Sequence, residues 1–193
     1  MRIVILVTAA LIIGIYESPA LADDVTDQIQ EGLKAYEKGD LDTATIALDT
    51  ATSLIREMQA NSLTEVLPEP LSGWTAEEAE TSTAGAAMFG GGMQASRSYR
   101  KDDEHVSISI TGNSPMLQAM SMMFANPAMM GDGEKLVVID GRKVIQNKQD
   151  HSLQAMVSNN FLVSVEGDDL TTDESVKAYF QAVDFAGLEK FGQ

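Results

Sequence analysis

The chain of 193 residues carries 29 Asp and Glu against 13 Lys and Arg, a formal net charge of −16, and 44% of its residues are hydrophobic. Such an apolar content supplies a core and excludes wholesale disorder, while the acidic balance argues against nucleic acid or anionic lipid as a partner. Cysteine is absent and histidine is confined to His105 and His151, which excludes a disulfide scaffold, a thiol nucleophile and the usual zinc ligand sets.

Met1-Arg2 supplies a positive charge, Ile3 to Ile15 forms an almost unbroken apolar run, and Pro19 and Ala20-Leu21-Ala22 precede Asp23-Asp24. A charged n-region, an apolar h-region and an A-x-A site in that order predict a removable export signal over residues 1–22. The run is shorter than the roughly 20 residues that span a bilayer, and no later apolar stretch reaches that length. The expected product is a soluble periplasmic or secreted protein, without membrane insertion after cleavage.

Residues 23–66 predict an acidic helical hairpin. Ile29, Leu33 and Tyr36, then Leu41, Ala44, Leu48, Ala51 and Ile55, recur at helical spacing, and Gly39-Asp40 interrupts the pattern as a tight turn would. Gly32, Tyr36, Gly39-Asp40, Leu41, Ala44, Leu48 and Ala51 fall in nearly the order of a tetratricopeptide (TPR) repeat, which this stretch resembles. Its aromatic stands one place late, the early Trp and closing Pro are missing, and no second copy follows. The likeness implies helices brought close by small residues, with larger ones filling the gap, and the hairpin covered by its own domain or a second copy. Residues 23–80 hold 14 acidic and 3 basic side chains, a solvated acidic face or a surface for a basic partner.

Residues 67–80 contain Leu67-Pro68-Glu69-Pro70-Leu71-Ser72-Gly73-Trp74, a Pro-interrupted linker with Trp74 as its anchor in the core. Residues 81–193 form the predicted α+β domain. Its Thr81–Met93 segment is small and Gly-rich and lacks a phosphate-binding pattern. It reads as a flexible loop or as a partner-binding flap through Met88, Phe89 and Met93. Period-two alternation then predicts a hairpin over Ala95–Lys101 and Val106–Ile110, closed by Lys101-Asp102-Asp103-Glu104. Ser114-Pro115 starts a helix ending near Asn126-Pro127, and four short strands follow at Leu136–Ile139, Lys143–Gln146, Leu153–Val157 and Phe161–Val165. A capping pair, Thr171 and Glu174, opens a last helix with the stripe Val176, Tyr179, Phe180, Val183 and Leu188.

The expected fold class is therefore α+β: a helical hairpin, then an antiparallel sheet of about six strands flanked by helices. By analogy alone it is similar to the sheet of PsbP-like photosystem extrinsic proteins. The layout, with its LPEPLSGWTAEEAE and ASRSYR segments, also resembles a family of uncharacterised exported proteobacterial proteins.

Six of the 11 methionines lie between Met116 and Met130. Met116, Met120 and Met123 share one helical face with Leu117 and Phe124 beside them, which reads as a core stripe of pliable side chains. With Met129 and Met130 they are also candidate thioether ligands for Cu(I). The two histidines read as solvated, the acidic pairs Asp102-Asp103 and Asp168-Asp169 lack a calcium-loop pattern, and no serine-hydrolase elbow is present. The expectation is a non-catalytic exported protein without cofactor that binds a protein partner or itself. A periplasmic Cu(I) or soft-ligand carrier and an unrecognised hydrolase are the alternatives.

Overall fold

A computed structural model describes residues 21–82, 92–126 and 130–191. Helices α1 (Leu21–Glu37) and α2 (Leu41–Leu63) form the expected hairpin. Gly39 makes the turn at a φ of 79°, open to glycine without a steric penalty. Asp40 caps α2 by accepting from the Thr43 N–H at 3.1 Å, and hydrogen bonding to the ionised carboxylate from the Thr43 side chain and then its N–H holds the pKa below the ordinary value.

Between the helices lie Gly32 and Ala35 on one side and Ala44, Ala47 and Ala51 on the other, all buried. The larger residues do not fill this gap: Leu33, Tyr36 and Leu48 are 56%, 65% and 48% exposed. A Cβ on Gly32 would sit 3.0 Å from Leu48 Cγ, so the helices approach too closely to hold a row of leucines between them.

The sheet is antiparallel throughout, in the order β1-β3-β4-β8-β7-β6-β5, with β2 also pairing with β3. Its strands are β1 (Thr75–Ala76), β2 (Glu80–Ser82), β3 (Met93–Lys101), β4 (Glu104–Gly112), β5 (Glu134–Ile139), β6 (Arg142–Asn147), β7 (Ser152–Val157) and β8 (Phe161–Asp168). The six expected strands are β3 to β8. The additional β1 and β2 lie in and just after residues 67–80, too short to show a period of two. Asp140 and Gly141, both at positive φ (48° and 78°), close the β5–β6 hairpin as an Asp-Gly turn does.

Three further helices, α3 (Met116–Ala125), α4 (Glu174–Ala182) and α5 (Phe185–Phe191), complete the described chain. The main core lies on one sheet face, where Ala95, Tyr99, Val106, Ile108, Ile110, Val163 and Val165 meet α4, α5 and the end of α2. Val176, Tyr179, Phe180, Val183 and Leu188 are all buried there, as their spacing requires. The expected Thr171–Glu174 capping pair does not form, because α4 starts only at Glu174, whose N–H meets Thr172 Oγ1 at 3.4 Å. Leu170 is buried in the core ahead of the helix, and that anchor delays its first turn.

Residues 67–80 are packed against β3. Tyr99 Oη donates to the Pro68 carbonyl at 2.7 Å, Arg97 reaches the same carbonyl at 3.2 Å and the Glu77 carbonyl at 3.1 Å, and Leu71 N–H donates to Tyr179 Oη at 3.3 Å. Trp74 stands edge-on to Tyr179, ring centroids 5.2 Å apart, the core anchor its size suggested. The LPEPLSGW and ASRSYR segments are thus two sides of one contact.

Candidate functional site

Two exposed surfaces and one helix bear on function. The first surface is a flank of the hairpin. On α1 the packing stripe is Gly32 and Ala35, and Ile29, Leu33 and Tyr36 lie one residue further round. On α2 the packing stripe is Ala44, Ala47 and Ala51, with Leu41, Leu48 and Ile55 beside it. Because the helices are antiparallel, the same rotation on each brings both rows to one side of the hairpin. All six large side chains are exposed, from 41% at Ile55 to 65% at Tyr36. Asp23, Asp24, Asp27 and Glu31 of α1 and Asp42, Asp49 and Glu57 of α2 are also exposed, but are turned by roughly 100° or more from these rows. The charge of the hairpin therefore surrounds an apolar flank and meets it at its end, where Glu37 follows Leu33 by one turn. At its open end a cavity of about 390 Å³ continues the flank, lined by Val25, Ile55, Met58, Gln59, Ser62 and Phe191.

The second surface is the sheet face opposite the main core, where α3 covers only part. Cross-strand register aligns the residues of this face in rows: Arg100, His105 and Asp168; Ser98, Ser107, Glu166 and Ser152; Ser96, Ser109, the buried Ser164 and Gln154. Arg100, His105, Asp168, Ser98, Ser107 and Glu166 line a cleft of about 420 Å³ together with Glu77 and Asp150. Its side chains bond mainly to one another. Arg100 Nε donates to His105 Nε2 at 2.8 Å, which leaves Nδ1 as the protonated nitrogen, 2.9 Å from the Asp103 carbonyl. Ser164 Oγ donates to Glu166 at 3.0 Å. Beyond the cleft, His151 Nδ1 lies 2.6 Å from Asp173 Oδ1, and Gln146 reaches the other carboxylate oxygen at 3.3 Å. The histidines, expected to be solvated, are both half-buried and paired. Among the described residues no group of three or more His, Asp or Glu side chains is placed to hold a metal ion.

The methionine helix is rotated from its expected orientation. Leu117 and Phe124 of α3 are buried against Ile145 and Leu162, with Met120, Met123 and Met130 packed at the edge of that cluster beside Met156. Met116 is 39% exposed and Met122 61% exposed, so Met116 leaves the stripe on which its spacing placed it. Leu117 and Phe124 fill the space over the sheet more fully, and they set the rotation of the helix. Met93 is buried at 3% exposure in the main core, whereas Met88, Phe89 and Met129 fall outside the described residues. The sequence expectations did not single out the hairpin flank as a surface. The signal for it was present, in a second apolar row one residue away from a row of Gly and Ala.

Compared with family models, curated proteins and solved structures, the chain finds no match.

Proposed function

We propose that the chain is an exported, non-catalytic interaction module of the cell envelope, carried to the periplasm by residues 1–22, that makes its contact through the hairpin. One observation carries this reading: the apolar flank of Ile29, Leu33, Tyr36, Leu41, Leu48 and Ile55, bordered by a carboxylate only at Glu37, on a chain of net charge −16. Contiguous exposed apolar residues rimmed by polar ones mark contact surfaces, and keeping them exposed on a solvated domain is costly. The sheet-face cleft supports a lesser role, since the groups that could act on a ligand there are bonded to one another. The small residues of the TPR-like stretch bring the helices close, while its larger ones turn outward instead of filling the gap.

Two measurements test the proposal. The periplasmic form should begin at Asp23, which N-terminal mass analysis reads directly. A benzophenone cross-linker placed at Leu33 should trap a protein in cells, and the same group at Ser107 on the sheet face should trap none. Adducts from Ser107 alone would overturn the assignment of the contact to the hairpin.

A further inference from the structure

From the same flank we infer that its occupant is a second copy of this chain, docked hairpin to hairpin across a two-fold axis; this rests on reading the hairpin as the contact-making part. Three properties of the flank point to its own copy. The first is charge. The rows Ile29–Leu33–Tyr36 and Leu41–Leu48–Ile55 meet a carboxylate only at Glu37, one turn beyond Leu33 at the end of α1, so a basic partner would find counter-charge only at that margin of the contact. The other acidic side chains of two stacked hairpins would point away from the joint, where salt screens them over about 8 Å.

The second property is shape. Two ridges of large side chains flank a seam in which Leu48 lies across Gly32, and such ridges and grooves are complementary to themselves under a two-fold rotation. The third is size. From Asp23 on, α1 gives a flank about 22 Å long, and two helices side by side make it about 20 Å wide. That is roughly 450 Å² for each copy and about 900 Å² for the pair, just under the roughly 1,000 Å² of the smallest specific interfaces. Met58 and Phe191, exposed around the adjoining cavity, extend the contact along α2.

Sedimentation of the mature chain between about 1 and 100 μM should show a monomer–dimer equilibrium. Leu33→Glu and Leu48→Glu each should raise the dissociation constant at least tenfold while leaving the circular dichroism spectrum unchanged, since both side chains are already about half exposed. Val138→Glu, at a 71% exposed position on the far edge strand, should leave the dimer intact. A monomer at every concentration would overturn the inference, as would a dimer broken by Val138→Glu and not by Leu33→Glu. If the chain is monomeric but the cross-linker at Leu33 traps a different protein, self-docking fails and the interaction-module reading stands. If it is monomeric and Leu33 traps nothing, both fail.

Discussion

Tyr99 and Tyr179 show how much a single side chain can decide in this fold. Their rings pack at 4.3 Å between centroids, and burial raises both phenol pKa values above the ordinary tyrosine value of 10.0. A group held more tightly protonated in the folded state contributes fully below its unfolded pKa, and that contribution drains away as pH rises above it. Stability should therefore fall steeply above about pH 10. Tyr99→Phe should flatten that slope, at a cost on the order of 1 kcal/mol at neutral pH, because Arg97 still donates to the Pro68 carbonyl. Urea midpoints of both proteins from pH 8 to 11 check this, and parallel alkaline slopes would contradict it. The methionines make a second prediction at this scale. Mild peroxide should oxidise Met122 and Met116 first, Met120, Met123 and Met130 later, and Met93 last, in the order of their exposure. A Cu(I) site built from Met116, Met120, Met123, Met129 and Met130 would instead protect the exposed Met116 together with the others and raise the melting temperature. Peptide-resolved mass spectrometry with and without Cu(I) separates these outcomes.

At the scale of elements, period two made β3 and β4 legible through the contrast between their two sides, whereas β5 to β8 were legible as short apolar runs between turns, β8 being buried on both sides over Phe161–Val165. No such contrast develops over the two residues of β1 or the three of β2. The helices were legible as helices, and α4 buries the stripe its spacing marked, but the side that the hairpin helices and α3 bury was not legible. α1 carries the row Gly32–Ala35 and, one residue round, the row Ile29–Leu33–Tyr36. Apolar size favours the second row, while the close approach of two backbones demands the first. α3 repeats the ambiguity, with Met116 and Met123 beside Leu117 and Phe124, and the fit over Ile145 and Leu162 resolves it. The sheet-face rows needed strand register, which alternation within one strand does not contain. The hairpin also differs from the sheet in how it is held. It closes through small side chains, whereas β4 and β8 place Val106, Ile108, Ile110, Val163 and Val165 in the main core. Amides in α1 and the first half of α2 should thus exchange far faster than those of β4 and β8, which open only with the whole fold. Uniform protection across the hairpin and sheet would contradict that, and protection that rises with protein concentration would place the difference at the joint between copies.

For the molecule as a whole, one helix belongs to two packing units. The first half of α2 buries Ala44, Ala47 and Ala51, which face α1, whereas Ala60, Leu63 and Val66 belong to the same core cluster as Tyr99, Tyr179 and Leu188. Further bonds fasten that second half and the 3-10 turn Thr64–Val66 that follows it: Thr81 Oγ1 donates to Asn61 Oδ1 at 3.1 Å, and Asp184 N–H donates to the Val66 carbonyl at 3.1 Å. The break in hydrophobic pattern at Leu67-Pro68 thus falls one helical segment later than the change in packing, which lies ahead of Ala60. A chain beginning at Ser53 retains every buried residue of the main core and should fold as a monomer with the sheet intact. A chain beginning at Leu67 loses Leu63 and Val66, each worth about 1.5–3 kcal/mol of burial, together with the smaller contribution of Ala60. Against a typical total of about 5–15 kcal/mol, that loss should lower the melting midpoint by ten degrees or more or leave the chain unfolded. Thermal melts of the two chains decide between the boundaries. Equal midpoints would return the division to Leu67-Pro68 and make the end of α2 an appendage. A large gap would mean that the half of α2 carrying the apolar flank can change or detach without loss of the sheet, while the half behind it cannot.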